Sequence, residues 1–252
     1  MKTVKKAFEL LSLLSDNPEA FISSGKIAGA LKIKRPTCSL LLKSLKEIGV
    51  LEQPSSRGGY RFGYMLYYLT RNGPFRKDIA IPARPLLEDF AEQTGETIIL
   101  SAFHKNKRII LDCVEGSYSV QIRKDMLLLE DFYHTASGRL LLAFLSPEEL
   151  GFFLERFGLP SPEIWKEAST IGGFQKALKK INEKGLEMNV LKDKEYMQVA
   201  FPVIDEEGRC AAALSVPVPL FRFKGAHGKK IIKFLRDISA KISTEVVKHR
   251  RR

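Results

Sequence analysis

Three side chains that lie close together in the sequence, Asp131, His134 and Ser137, are of the types that form a hydrolase triad. No G-x-S-x-G pattern surrounds Ser137, and a triad needs a spatial geometry that closeness along the chain does not supply. A serine that caps a helix, beside a surface histidine, accounts for the same residues. We therefore predict a helix start here and not an enzyme, although an enzyme built on this part of the chain stays as an alternative.

Residues that could bind a metal or a nucleotide are scattered. The candidate zinc ligands are His104, Cys113, His134, Cys210 and His227. None of them has the spacing of a standard zinc site. The glycines of residues 225–228 are too close together for a P-loop, and the chain has no G-x-G-x-x-G. We therefore expect no metal and no cofactor.

The cysteines and the hydropathy indicate the compartment. The three cysteines, Cys38, Cys113 and Cys210, are far apart and odd in number, which is typical of structural thiols in a reducing cytoplasm. No apolar run approaches the roughly 20 residues of a membrane span. Glu9 and Asp16 interrupt any apolar core of a signal peptide. The sequence predicts a cytoplasmic protein with no membrane segment.

Positive charge is concentrated at the amino-terminal end. Residues 1–77 contain 14 Lys and Arg against 5 Asp and Glu, whereas residues 78–247 contain 23 against 24. The last five residues, 248–252, carry four more cations that we expect to be mostly solvated. A basic module joined to a near-neutral one predicts a polyanion-binding domain followed by a domain for a neutral or small acidic partner.

Apolar spacing in the basic module predicts three helices and a hairpin. Residues 4–14 follow helical periodicity, Ser23 or Ser24 can cap a second helix, and Pro36 suits the first turn of a third. The apolar face of that third helix is predicted at Cys38, Leu41, Leu42, Leu45 and Ile48. Short strands at 50–52 and 60–62 flank a Pro- and Gly-rich turn. This order is that of a winged helix-turn-helix, which we assign to residues 1–65.

Residues 66–78 are predicted to be a linker with a helical start, and residues 79–252 a second domain. Alternating apolar residues predict strands at 96–104, 108–114, 119–123, 198–204 and 210–216, and helical periodicity predicts segments at 81–93, 137–145, 147–157, 173–184 and 229–247. Strands in hairpins with separate helices indicate an α+β domain on an antiparallel sheet.

The third helix of the basic module is the predicted reader of DNA. In this motif its first turns face base edges in the major groove. Arg35 could read guanine and Ser39 could contact a base or a phosphate, whereas Lys26, Lys34 and Lys43 suit phosphates. Leu40 could meet a thymine methyl group or pack on a neighbouring helix. The remaining candidates are Pro36 and Thr37 at the helix start and Arg57 at the tip of the wing.

Several motifs, in order along the chain, resemble those of the IclR-type bacterial transcriptional regulators. They are Gly59-Tyr60-Arg61-Phe62-Gly63, Thr94-Gly95-Glu96-Thr97, Thr135-Ala136-Ser137-Gly138-Arg139, Pro202-Val203-Ile204-Asp205 with Gly208, and Ala213-Leu214-Ser215-Val216. The resemblance implies a GAF-like effector domain and a homodimer formed through the amino-terminal module, often paired again into a tetramer. It also implies regulation by organic acids or by aromatic or sugar-derived metabolites.

The effector pocket that this resemblance implies lies between a helix-opening loop and the sheet. The loop backbone falls at Ala136 and Ser137, and amide groups at a helix start favour a carboxylate. Ser215 and Gln198 would orient the ligand. The walls would be Leu128, Asn189, Tyr196 and Pro217.

The chain departs from the family pattern in the pocket and in the reading helix. Asn189 and Leu191 stand where the family often has acids, Gln198 replaces a common cysteine, and Pro217 replaces a serine. In the reading helix a frequent arginine is Leu40. These departures leave the class of ligand open, including a pocket that binds nothing.

The combined interpretation is a DNA-binding regulator, more often a repressor than an activator in such families, with an operator as partner and a small-molecule effector. The main alternative is an architectural protein that binds nucleic acid without sequence preference or ligand control. Salt dependence and a specificity ratio distinguish the two.

Overall fold

The computed structural model of the protein describes residues 2–55, 58–70, 77–120, 132–191 and 195–250. The chain divides into two compact units, Met1–Phe75 and Arg76–Arg252. Arg57, Leu128 and Asp131, which the sequence singled out, lie outside the described residues.

Three helices form the core of the first unit. They are α1 (Lys2–Ser15), α2 (Ser24–Ala30) and α3 (Arg35–Glu47). The predicted apolar faces meet in one cluster, in which Leu10, Ile27 and Leu42 are fully buried. The side chain of Ser23 accepts a hydrogen bond from the Lys26 amide and so caps α2. The helix-turn-helix pair therefore rests on a small apolar core that leaves one face of α3 exposed.

The end of α3 corrects one expectation. Ile48, predicted on the buried face, is 56% exposed. It lies at the helix C-cap with φ −88° and ψ 4°, where the helical repeat has already ended, so its side chain does not continue the stripe. Gly49 follows with φ +76°, a conformation that glycine adopts without strain, and turns the chain into the wing.

The wing is a two-stranded antiparallel hairpin of β1 (Leu51–Glu52) and β2 (Arg61–Phe62). An isolated bridge between Ile22 and Tyr60 ties it to the segment before α2. Helix α4 (Tyr64–Thr70) follows directly. Gly63, between β2 and α4, lies against the carbonyl of Gly49 so closely that a Cβ atom there would clash with it. The wing and the start of α4 are thus fixed to the end of α3.

The second unit contains a five-stranded sheet and six α-helices among its described residues. The helices are α5 (Lys77–Thr94), α6 (Ala136–Ala143), α7 (Pro147–Phe157), α8 (Pro162–Trp165), α9 (Ile171–Lys184) and the closing α10 (Gly225–Arg250), of which α5 opens the unit. The strands are β3 (Ile98–His104), β4 (Lys107–Val114), β5 (Glu187–Leu191), β6 (Tyr196–Ile204) and β7 (Cys210–Pro219). The α+β class with an antiparallel sheet is confirmed.

The sheet has the order β4-β3-β7-β6-β5, and every neighbouring pair is antiparallel. Side chains alternate between its two faces. Leu100, Val199 and Leu214 pack with α5 and α10 on one face. Ala200 and Ala213 pack with α6, α9 and an aromatic cluster on the other. The start of α6 therefore lies over the centre of the sheet.

A buried ion pair joins the segment before β3 to the segment before α10. The carboxylate of Glu96, 3% exposed, accepts hydrogen bonds from the Arg222 guanidinium at 2.5 and 2.8 Å, and its Oε1 lies 3.0 Å from His227 Nε2. Arg222 also donates to the carbonyl of Val120 at 3.1 Å and stacks over Tyr118. The segment at 117–120 is thereby held against the start of α10.

The strand predicted at 119–123 is wrong for its first two residues. Ser119 and Val120 form a bend rather than a strand, and residues 121–123 lie outside the described part. Hydrogen bonds to Gly95 and Arg222, instead of a neighbouring strand, satisfy the backbone at Ser117 and Val120. No helix among the described residues is long and apolar enough to cross a membrane.

Candidate DNA-binding surface and effector pocket

The predicted DNA-contacting side chains share one exposed surface on α2 and α3. The described members are all solvent-exposed: Lys26, Lys34, Arg35, Pro36, Thr37, Ser39, Leu40 and Lys43. Cys38, Leu41 and Leu42 on the opposite face are buried, which turns the others outward. We call this set the α3 surface.

The α3 surface is strongly basic. Residues 22–48 contain six Lys and Arg and a single acid, Glu47. The first turn of α3 has no acidic residue, so Arg35 sits at a helix start without a local carboxylate. The exposed ion pair of Lys43 with Glu47, 3.9 Å long, is too weak and solvated to hold Lys43 away from a phosphate. The surface therefore offers cations to a polyanion, and the side chains predicted to read bases lie at the start of α3.

The exposure of Leu40 bears on the two roles that the sequence left open for it, contact with a thymine methyl group or packing on a neighbouring helix. Leu40 is 68% exposed, so it does not pack on a neighbouring helix of the described chain. An exposed leucine in the middle of a basic helix face is available for apolar contact with a thymine methyl group. That contact stays a prediction.

The second site begins at the amino terminus of α6. Thr135 adopts an extended conformation, and its Oγ1 accepts the Gly138 amide at 3.1 Å, which caps the helix. Ala136 and Ser137 form the first turn and are 0% and 2% exposed. The cap expected at Ser137 is thus supplied by Thr135, and Ser137 is the second residue of the helix.

A small cavity lies between this helix start and the sheet. Its volume is about 10 Å³. Four of the predicted effector residues line it, namely Ser137, Gln198, Ser215 and Pro217, together with Ile99, Arg108 and Thr135. Strands β6 and β7 bring these positions side by side, because Gln198 pairs with Pro217 and Ala200 with Ser215 in register. Below, "the pocket" means this cavity and its lining.

Hydrogen bonds between its own groups fill the pocket. Gln198 Oε1 accepts the Ala136 amide at 2.7 Å. Arg108 Nη1 lies 3.4 Å from Ser137 Oγ, within donating distance. Gln198 Nε2 is 3.5 Å from the Tyr196 hydroxyl. The polar atoms that would meet a ligand are thus largely bonded to one another.

Arg108 is a pocket residue that the sequence did not reveal. It is 6% exposed. It follows Lys107 at the start of β4, and two consecutive cations are normally expected to lie in solvent. Strand alternation places one of the two cations on the inward face, but the sequence does not say which one. Arg108 brings a guanidinium to the wall beside Ser137.

Two of the predicted wall residues, Asn189 and Tyr196, are not in the described lining of the pocket. Asn189 donates from Nδ2 to the His134 carbonyl at 2.8 Å and so supports the loop before α6. Tyr196, 1% exposed, lies behind Gln198. Leu128 is outside the described residues.

The cysteines and the candidate metal ligands named from the sequence can be placed in part. Burial raises the pKa of the Cys210 thiol to about 12, so it is a neutral thiol at physiological pH. The described ranges contain no cluster of three or more His, Cys, Asp or Glu that could hold a metal ion. His134 contributes its backbone carbonyl, not its ring, to the loop contact with Asn189.

A protein-family model matches most of the second unit. Residues 75–244 match the family described as "Bacterial transcriptional regulator IclR C-terminal". The matched stretch runs from α5 into α10 and includes the pocket.

Individual proteins are similar over nearly the full length. The HTH-type transcriptional regulator KipR of Bacillus subtilis is 23% identical over 97% of this chain and 97% of its own. The crystal structure of the Thermotoga maritima IclR is 25% identical, covers 98% of this chain and 99% of its own, and superposes with a TM-score of 0.69. An IclR homolog from Microbacterium hydrocarbonoxydans, complexed with 4-hydroxybenzoate, is 18% identical over 97% and 98%, with a TM-score of 0.75.

Proposed function

The chain belongs to the IclR family of bacterial transcriptional regulators, and on that premise we propose that it is a repressor whose operator affinity is set by a small organic acid. It is a DNA-binding regulator, and the observation that carries the DNA part of the proposal is the exposed, basic α3 surface. Arg35, Thr37 and Ser39 would face base edges, and Lys26, Lys34 and Lys43 would contact phosphates.

A homodimer is the proposed working form. Two helices of the first unit expose apolar side chains that its own core does not use. On α1, Val4 and Phe8 are 62% and 66% exposed, and on α4, Tyr64 and Leu69 are 69% and 64% exposed. Val4 and Phe8 share one helix face, which a second copy would cover. Two α3 helices in such a dimer would enter successive major grooves about 34 Å apart.

The effector is proposed to be a carboxylate that binds in the pocket. Its walls offer the amides at the start of α6, the hydroxyls of Ser137 and Ser215 and the guanidinium of Arg108. Helix starts and guanidinium groups favour anions. The complex of the Microbacterium homolog with 4-hydroxybenzoate supports the same class of ligand.

Regulation requires that the ligand bind one arrangement of the dimer better than the other. We propose that binding changes the spacing of the two α3 helices through the chain at 66–78. The linker assignment, the tetramer and the absence of catalytic activity belong to the same proposal. Since a repressor must reach the chromosome, the proposed place of action is the cytoplasm.

The pocket part of the proposal is tested with Ser215→Leu. Ser215 is 5% exposed and borders a cavity of about 10 Å³, so a leucine would fill it and displace any ligand. A thermal-shift screen of small carboxylates on the intact wild-type chain identifies binders, because binding to the native state raises the melting midpoint. Binding to a duplex selected from a random library is then measured with and without each binder.

We expect wild type to release the duplex when the binder is present, and Ser215→Leu to keep its duplex affinity but lose the release. Ser215→Ala, which removes the hydroxyl without filling space, is the matched control and should keep part of the response. An unchanged response in Ser215→Leu would show that the effector binds elsewhere.

A further inference from the structure

The pocket is too small for any organic ligand in this structure. Its volume of about 10 Å³ is close to the minimum for one water molecule. Pockets that bind small molecules usually measure about 300–1,000 Å³. Some part of the lining must move before a ligand can enter.

Gln198 is the side chain in the ligand's place. Its Oε1 accepts the Ala136 amide at 2.7 Å, the shortest of the hydrogen bonds described at the pocket. An acceptor oxygen on a helix-start amide is the contact that a carboxylate would make. Gln198 is 6% exposed and reaches the helix from near the start of β6. One amide hydrogen cannot make a straight bond to two acceptors, so Gln198 and a carboxylate exclude each other there.

One amide at the start of α6, that of Ser137, has no acceptor among the described residues, whereas its two neighbours do. Thr135 Oγ1 takes the Gly138 amide and Gln198 takes the Ala136 amide. Between them, the Ser137 amide, in a residue 2% exposed, has no acceptor among the described residues. A buried amide without an acceptor costs free energy, which a bound anion would recover. The site is thus only partly satisfied by Gln198.

We propose that Gln198 is an internal ligand that holds the pocket shut, and that a carboxylate effector binds only by displacing its carboxamide from the Ala136 amide. This inference rests on the proposed function, since it concerns how the same pocket is regulated. We call this displaceable hydrogen bond between Gln198 and the Ala136 amide the lock. It would set the effector concentration at which the regulator responds. A shorter side chain at position 198 would make the protein more sensitive to effector.

The test compares Gln198→Ala with wild type, using the full chain and two probes of different size, acetate and 4-hydroxybenzoate. The apparent Kd for each probe is read from the concentration dependence of the melting midpoint. A hydrogen bond of ordinary net strength that no longer has to be broken lowers the Kd by about 3- to 10-fold. We expect this gain for at least one probe. Gln198→Ser is measured beside it, in case alanine lowers the stability too far.

Two further variants sharpen the result. Ser215→Ala removes a polar group from the same cavity without freeing the Ala136 amide, so it should bind neither probe more tightly than wild type does. Gln198→Glu places a carboxylate permanently at the amide and should bind both probes more weakly. Equal shifts in wild type, Gln198→Ala and Gln198→Ser, including no shift in any of them, would overturn the proposal.

Failure of this inference and failure of the proposed function look different. If the Gln198 variants bind a probe more tightly but none of the proteins releases its selected duplex, the lock is real and the proposed regulation is wrong. If wild type releases the duplex with a probe and the Gln198 variants respond at the same concentration, the regulation is real and the lock is wrong.

Discussion

At the scale of single residues, burial decides what a charged side chain does in this protein. Arg222 is 14% exposed and joins the buried Glu96 in two hydrogen bonds, whereas Arg209 is 61% exposed and pairs with Asp205 and Glu207 at a hairpin turn. The hydrogen bonds to Glu96 raise the pKa of Arg222, and those to Asp205 raise the pKa of Arg209. Both arginines stay charged, and the carboxylates of Glu96 and Asp205 are both 3% exposed. Without the Arg209 side chain, the Asp205 carboxylate would still accept the backbone amides of residues 207 and 209, each at 3.0 Å, whereas without Arg222 the Glu96 carboxylate would keep only the contact with His227 among the described side chains.

Arg222→Met should therefore destabilise the second unit by about 3–5 kcal/mol, because the Glu96 carboxylate would lose its main partner. Unfolding in urea can be followed by the fluorescence of Trp165, the single tryptophan of the chain, which is 3% exposed in this unit. Arg209→Met is the matched control and should move the unfolding midpoint less, since the Asp205 carboxylate keeps two hydrogen bonds from backbone amides. Equal shifts in the two variants would show that the Glu96 contact does not fasten this unit.

At the scale of elements, helices with a clear apolar stripe could be predicted from the sequence. Helical periodicity predicted α7 with the bounds that it has in the structure, 147–157, and the winged helix-turn-helix followed from the order and length of its parts. Strand β5 was missed, because it is a short edge strand in which Met188 and Val190 are exposed and Asn189 is buried, so its pattern is not apolar-in and polar-out.

The small pocket could not be predicted from local patterns. Its key hydrogen bond joins Ala136 to Gln198, 62 residues apart in the chain. The position of Gln198 was available from the family resemblance, but the direction of its side chain depends on how β6 lies beneath α6. The buried Arg108 was hidden for the same reason, since only the tertiary fold shows which cation of a pair points inward.

Helix α3 carries the prediction that belongs to this scale. Arg35→Ala should weaken binding to a selected duplex by about 1–3 kcal/mol and relax the preference at one base pair, if Arg35 reads a base edge. Lys43→Ala, one exposed cation further along the same helix, should weaken binding to all sequences alike and lower the salt dependence by about one ion. Both are measured by fluorescence anisotropy on the selected duplex and on single-base variants. A uniform loss with Arg35→Ala would make Arg35 a phosphate contact.

At the scale of the whole molecule, the division of charge matches the division into two units. The first 77 residues hold most of the net positive charge, and the second unit, which contains the pocket, is close to neutral apart from its last five residues. Electrostatic attraction to DNA is therefore localised on the unit with the α3 surface, and a small anion entering the pocket does not have to compete with DNA for the same cations. On the proposed function, a ligand would therefore act on DNA binding through the chain between the units and not by occupying the cations that contact DNA.

The central claim, sequence-specific DNA binding by the α3 surface, is tested most directly by one equilibrium measurement. The intact protein is titrated onto a duplex that it has selected from a random library and onto a shuffled duplex of the same composition, at 50 and 200 mM salt. We expect a ratio of affinities of about 10³ or more, while both affinities fall as salt rises. A ratio near one at both salt concentrations would contradict the account and leave only charge-driven binding to nucleic acid.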